Sequence, residues 1–208
     1  DIAELRLALG IPEWTLYGIS YGTRLVLSTL RYHPEGVRSV ILDSVFPPQA
    51  SNLTDLATFY RAALERLFRA CADDESCTQV HGDLAQRYEQ ARAKLREEPL
   101  LFRLSEVEYR SKLVLPIDDQ LFDFLIYDSL YDGELRKGIP ELLRATAVNV
   151  DRFLINRVRE YLSYETLDSS AVYLSHICHD ETPFEDPAAI AAAVREAGPL
   201  GHLITESW

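Results

Sequence analysis

The stretch that most limits what this chain can become is Gly18-Ile19-Ser20-Tyr21-Gly22, because of what flanks it. Trp14-Thr15-Leu16-Tyr17 precedes it, a short β-branched and aromatic run that predicts a strand. Thr23 to Tyr32 follows, free of Gly and Pro, with apolar residues at 25, 26, 27 and 30, and predicts a helix. A strand that turns into a helix within so few residues forces the serine into a strained backbone conformation. Gly18 and Gly22 leave room there for neighbouring backbone. The serine hydroxyl then sits at a helix N-terminus, where the positive dipole end and backbone N–H groups favour a developing anion. Strand, G-x-S-x-G and helix in this order describe a nucleophile elbow. The competing reading is a serine that N-caps an ordinary helix behind a glycine turn.

The surroundings of the elbow set the fold class. Residues 1–9 form an amphipathic helix with Ile2, Leu5 and Leu9 on one face, closed by Gly10. Val37 to Ser44 predicts a second strand, reached after His33-Pro34-Glu35-Gly36 ends the helix. Two strands bracketing a helix make a βαβ unit, so a parallel, buried sheet is expected. Residues 1–48 are therefore read as a partial α/β core. From 49 to 170 the βαβ rhythm stops. Helices are expected at 53–70, 83–97, 118–130, 133–147 and 149–163, with a small hairpin over 99–104 and 111–116. This is the pattern of a mostly helical cap insertion. Residues 171–208 are read as an incomplete return towards the core. Ala171 to Cys178 is expected to rejoin the sheet layer, and a helix is expected at 186–197, N-capped by Asp186 with Pro187 in its first position. The chain contains no methionine, and Asp1 opens inside an amphipathic pattern, as expected of a segment of a longer protein.

Charge and cysteines narrow the partners. The formal net charge of −12 argues against nucleic acid and anionic membranes, both of which require clustered Lys and Arg. It suits a cationic group such as a free amino terminus. No apolar run reaches the roughly 18 residues that cross a bilayer. Cys71 and Cys77 flank Ala-Asp-Asp-Glu-Ser, a polar loop between two helical stretches, which suits a short local disulfide. Cys178 is the odd thiol, and in an oxidised protein it points to a partner elsewhere. Three reduced thiols in a cytosolic protein are the alternative. There is no C-x-x-C pair or H-x₃₋₅-H spacing, and His176-x-x-His179 is too close, so neither a metal nor a cofactor is expected.

Four segments carry a resemblance to the α/β-hydrolases of the tripeptidyl-aminopeptidase-like group, related to the proline iminopeptidases. Leu5 to Gly10 with Leu16 to Arg24 is similar to the family's helix and elbow. Arg31 to Val45 is like its next helix and strand. Cys71-Ala72-Asp73-x-x-x-Cys77 resembles a cysteine pair at the start of its cap. Leu174-Ser175-x-Ile177-Cys178-x-Asp180-Glu181 resembles the segment after the cap. The resemblance implies a serine peptidase or esterase, outside the cytoplasm, acting on a small peptide or ester. It also implies an oxyanion loop ahead of Asp1, and a triad aspartate and histidine beyond Trp208.

Within the chain, Ser20 is the expected nucleophile, and the backbone N–H of Tyr21 is expected to supply half of the oxyanion hole. Asp180 and Glu181 are candidates for holding a substrate ammonium, against the alternative of a solvated acidic loop. Ser20, Asp180 and His202 occur in the triad order of this fold. His202 lacks an intervening strand, however, and reads better as a surface or helix-cap residue. His33 and His81 read as solvated loop residues, and Asp43 as a structural residue beside the elbow. Two alternatives stand beside the exopeptidase: a general esterase of the same fold, and a non-catalytic hydrolase-fold module.

Overall fold

The computed structural model describes residues 1–103, 114–148, 152–165, 172, 174–175 and 177–205. The chain divides into two compact units, Asp1–Asn52 and Leu53–Trp208.

The first unit holds α1 (Ile2–Ala8), β1 (Trp14–Ile19), α2 (Tyr21–Tyr32) and β2 (Val37–Asp43). β1 and β2 pair in parallel, with Thr15 opposite Ser39 and Ile19 opposite Asp43. The βαβ unit is thus present. The expectation that its sheet is buried needs correction: Gly18 alone of the strand residues is buried, and Tyr17, Ile19 and Ile41 are exposed. Thr23, Val26 and Thr29 form the buried stripe of α2, at three-residue spacing.

The second unit is built on helical periodicity. α3 (Asn52–Ala72) turns Leu53, Ala57, Tyr60, Leu64 and Cys71 inward. α5 (Leu84–Glu97) does the same with Leu84, Tyr88, Ala91 and Leu95. These alternating steps of four and three make one apolar face per helix. With α6 (Asp119–Ser129), α7 (Gly133–Ala147) and α8 (Arg152–Glu165) they enclose a single core. β3 (Leu100–Arg103) and β4 (Val114–Ile117) pair antiparallel, as the expected hairpin. Its intervening residues 104–113 lie outside the described residues, as does the start of the helix expected from 149.

Aspartates open most of these helices. Asp83, Asp118, Asp132 and Asp186 each accept a backbone N–H of the first turn, as does Asp74 for α4 (Glu75–His81). An anion at that end also meets the positive helix dipole, so part of the chain's acidity is structural. α4 takes up Glu75 and Ser76 of the loop expected between Cys71 and Cys77, leaving Asp73 and Asp74 between it and α3. It buries none of its residues, and its Val80 is exposed, so no apolar period announces it.

A second correction concerns residues 171–178. The described ones, Val172, Leu174 and Ser175, are helical, and Ile177–Glu181 forms a π-helical turn rather than a strand. α9 (Pro187–Ala197) and a short α10 (His202–Thr205) follow. Ala197, Leu200, Leu203 and Ile204 enter the helical core.

That closing segment is fastened by a buried polar cluster. Asp123 of α6 is fully buried; it accepts the Tyr88 hydroxyl at 2.5 Å and Arg92 Nε at 3.0 Å. Arg92 also donates to the Pro199 carbonyl at 3.2 Å, and Arg61 donates to that of Ala197 at 3.0 Å. Burial pushes the Asp123 carboxyl up to about 7, against the opposing pull of Arg92 and the Tyr88 hydrogen bond. An acid with a raised folded-state pKa stabilises below its unfolded value, near 3.9, and that contribution is lost as pH rises towards the folded one. Asp123 should therefore lower stability by roughly 1.4 kcal/mol per pH unit between about pH 4 and 7. Urea melts of wild type and Asp123→Asn across pH 4–8 should differ by this slope; parallel curves would refute it.

Cys71 and Cys77 form a disulfide, with their Cα atoms 5.3 Å apart. Closing so short a loop should stabilise by roughly 2 kcal/mol in the chain-entropy account. Mass spectrometry without reductant should find this peptide two hydrogens lighter, and the Cys71→Ser, Cys77→Ser double variant should melt at lower temperature. Free thiols at both positions in natively isolated protein would contradict it.

Candidate active site

Ser20 links β1 to α2 in a conformation that L-residues seldom adopt, with φ 52° and ψ −120°. Such geometry costs on the order of 1–3 kcal/mol and persists only where the surroundings over-determine it. An ordinary N-cap serine has extended backbone, and its side-chain oxygen accepts a backbone N–H of the helix's first turn. Ser20 occupies the N-cap position but makes no such side-chain bond, and it is exposed. Tyr21 is the first residue of α2, where backbone N–H groups precede any helical acceptor.

The neighbouring backbone explains the turn. A Cβ on Gly18 would lie 2.5 Å from the Gly22 carbonyl oxygen and 2.7 Å from its carbon. A Cβ on Gly22 would meet nothing within 4 Å. The close approach expected of both glycines therefore demands glycine at position 18 alone. The Ser20 N–H donates to the Asp43 carbonyl at 3.0 Å, and the Ser20 carbonyl accepts the Thr23 N–H at 2.9 Å. Asp43 in turn accepts the Tyr17 hydroxyl at 3.0 Å and the Ser44 hydroxyl at 3.2 Å. The first of these bonds, above all, holds the Tyr17 phenol above its ordinary pKa.

Asp180 and Glu181 lie together on the π-helical turn, in the second unit. They differ in setting. Asp180 is exposed and pairs with the His179 ring at 2.7 Å, whereas Glu181 is 5% exposed. The loop reading fails for both, and the solvated reading fails for Glu181. Helix insertions of this π type recur at functional sites. His202 needs correction as a surface residue: its side chain is 9% exposed, Nδ1 lies 3.0 Å from the Pro199 carbonyl, and Nε2 lies 3.5 Å from Asp123. His81 is likewise no solvated loop residue; it ends α4, with Nδ1 3.5 Å from Glu141. Cys178 is exposed and free. No group of His, Cys, Asp and Glu among the described residues could hold a metal ion.

The sequence reading missed Thr23, whose fully buried hydroxyl touches the Ser20 carbonyl at 2.6 Å. It also missed Asp123. The signal there was a lone carboxylate inside Leu121-Phe122-Asp123-Phe124-Leu125-Ile126, at a position whose neighbours are core residues.

The two glycines predict opposite outcomes. Gly18→Ala pushes a methyl into immovable backbone, so thermal denaturation should show a loss of at least about 1–3 kcal/mol. Gly22→Ala meets open space inside a helix and should leave stability unchanged or raise it by up to about 1 kcal/mol. Equal effects would contradict the observed approach.

A family model described as alpha/beta hydrolase fold matches residues 1–131. A proline iminopeptidase of Xylella fastidiosa (strain Temecula1) is 37% identical over 68 residues, which are 33% of this chain and 21% of that protein. A proline iminopeptidase of Arabidopsis thaliana is 41% identical over 46 residues, covering 22% and 12% of the two chains. One of Neisseria gonorrhoeae is 39% identical over 46 residues, covering 22% and 15%. The matched stretches thus span about a fifth or less of those relatives' own length. No solved structure gives a significant match. With the βαβ unit and its strained serine turn inside the matched region, the chain belongs to the alpha/beta hydrolase fold family.

Proposed function

We propose that this chain carries the nucleophile of an exported serine hydrolase that releases residues from peptides with a free amino terminus. The observation that carries the proposal is Ser20 itself, held at φ 52° between a parallel strand and a helix with no side-chain cap bond to that helix. A serine hydroxyl is a weak nucleophile until a base takes its proton, and acylation then develops negative charge on the substrate oxygen. The Tyr21 N–H, at the start of α2, is the donor we assign to that charge. The His202 ring faces Asp123 and Pro199 within the helical unit, so we do not assign it as the base.

The proline iminopeptidase relatives support the peptidase reading over the general esterase. Glu181, rather than Asp180, is the carboxylate we assign to the substrate ammonium. Its burial makes a charge-assisted contact worth more than it would be at a solvated site. The Cys71–Cys77 disulfide fits an oxidising compartment, and among the described residues no helix is long and apolar enough to cross a membrane.

A fluorophosphonate probe should label natively isolated protein and fail on Ser20→Ala. Glu181→Gln should label normally but lose about tenfold or more in kcat/KM on free-amine peptides, as a lost ion-assisted contact of about 1.5–3 kcal/mol requires. N-acetylated substrates should be spared. If Glu181→Gln treats free and blocked substrates as the wild type does, the esterase describes the protein better.

A further inference from the structure

We infer that Thr23 is the positioning residue of the nucleophile, acting together with the Asp43–Phe46 loop; the inference rests on the reading of Ser20 given above. A strained φ of 52° does not hold itself, so something must grip both polar groups of the Ser20 residue. One grip comes from the end of β2, the other from α2 through a residue bonded to the loop after β2. The Ser20 N–H donates to the Asp43 carbonyl at 3.0 Å, one step beyond the last strand pair, Ile19 with Asp43. The Ser20 carbonyl is reached through Thr23. Its hydroxyl gives its single proton to that carbonyl at 2.6 Å and accepts the Phe46 N–H at 2.8 Å. Thr23 is fully buried, so water does not replace either bond.

The loop that supplies these partners is itself fixed. Ser44 is the other non-glycine residue with positive φ among those described, at 54°. The Asp43 carboxylate is bracketed by Tyr17 and Ser44. Arg24, next to Thr23, donates to the Pro47 and Ala50 carbonyls at 3.1 and 2.6 Å, and its guanidinium lies 4.0 Å above the Phe46 ring. Two adjacent helix residues, Thr23 and Arg24, therefore tie the elbow to a loop some twenty residues away. A serine released from this grip keeps its hydroxyl and loses its aim. The chemical step should suffer, while binding of a small reagent should not.

Thr23→Val keeps the shape and removes the hydroxyl. With a fluorophosphonate probe, Thr23→Val should lower the maximal inactivation rate tenfold or more and leave the reagent's apparent affinity near the wild-type value. Thr23→Ser should restore the rate. Melting curves on the same proteins show whether each is folded. A folded Thr23→Val protein that inactivates at the wild-type rate overturns the inference and leaves Ser20 as nucleophile. A Ser20→Ala protein that labels as the wild type overturns both. Should Thr23→Val not fold, Tyr17→Phe removes an exposed hydroxyl from Asp43; a several-fold lower inactivation rate is then expected, and an unchanged rate overturns the inference.

Discussion

The turn between β1 and α2 depends on one steric fact: the backbone of Gly18 runs so close to the Gly22 carbonyl that no side chain fits between them. From that approach follow the abrupt change from strand to helix, the positive φ of Ser20, and the placement of its hydroxyl at the head of α2. The parallel ladder then does more than join two strands. By running on to the Ser20 N–H it makes the serine the last rung of β1 against β2. The energetic cost of the strained residue is thus offset by backbone pairing, which is insensitive to the identity of most side chains.

The helical unit has a different kind of keystone. Its core is ordinary apolar packing, but Asp123 sits fully buried within it, gathering Tyr88, Arg92 and His202. Tyr60 reaches the same cluster through the Tyr88 hydroxyl, at 3.3 Å. Burial and the neighbouring Asp123 charge raise the Tyr60 phenol pKa, as burial and the Tyr60 and Asp123 charges raise that of Tyr88. A network of this kind is costly when half satisfied and selective when complete. Removing one member by truncation should therefore cost more than the loss of an equal apolar volume.

Local rules made much of this readable in advance. The elbow is visible because strand, glycine spacing and helix occupy adjacent residues. The long helices show because their apolar residues step by three and four. Asp186 with Pro187 marked a helix start that the structure keeps. What escaped was of two sorts. α4 lacks an apolar face, and the apolar run from 171 is short enough to suit either strand or helix. Thr23 and Phe46, by contrast, are 23 positions apart, and their bond follows from the path of the chain rather than from any nearby pattern. The burial that separates Glu181 from Asp180 is likewise a tertiary property, since the two are adjacent and equally acidic in sequence.

The disulfide between Cys71 and Cys77 spans five exposed residues, Ala72 to Ser76, at the junction of α3 and α4. An exposed junction with small and polar side chains is where a protease would first cut a helical protein. A cut there would leave the two halves covalently joined, still sharing the core that Leu64 and Leu84 help to build. Such a protein would survive nicking as a single non-reducing species and come apart only when reductant and denaturant act together. Wherever the bond stays oxidised, the crosslink would act as a repair made in advance.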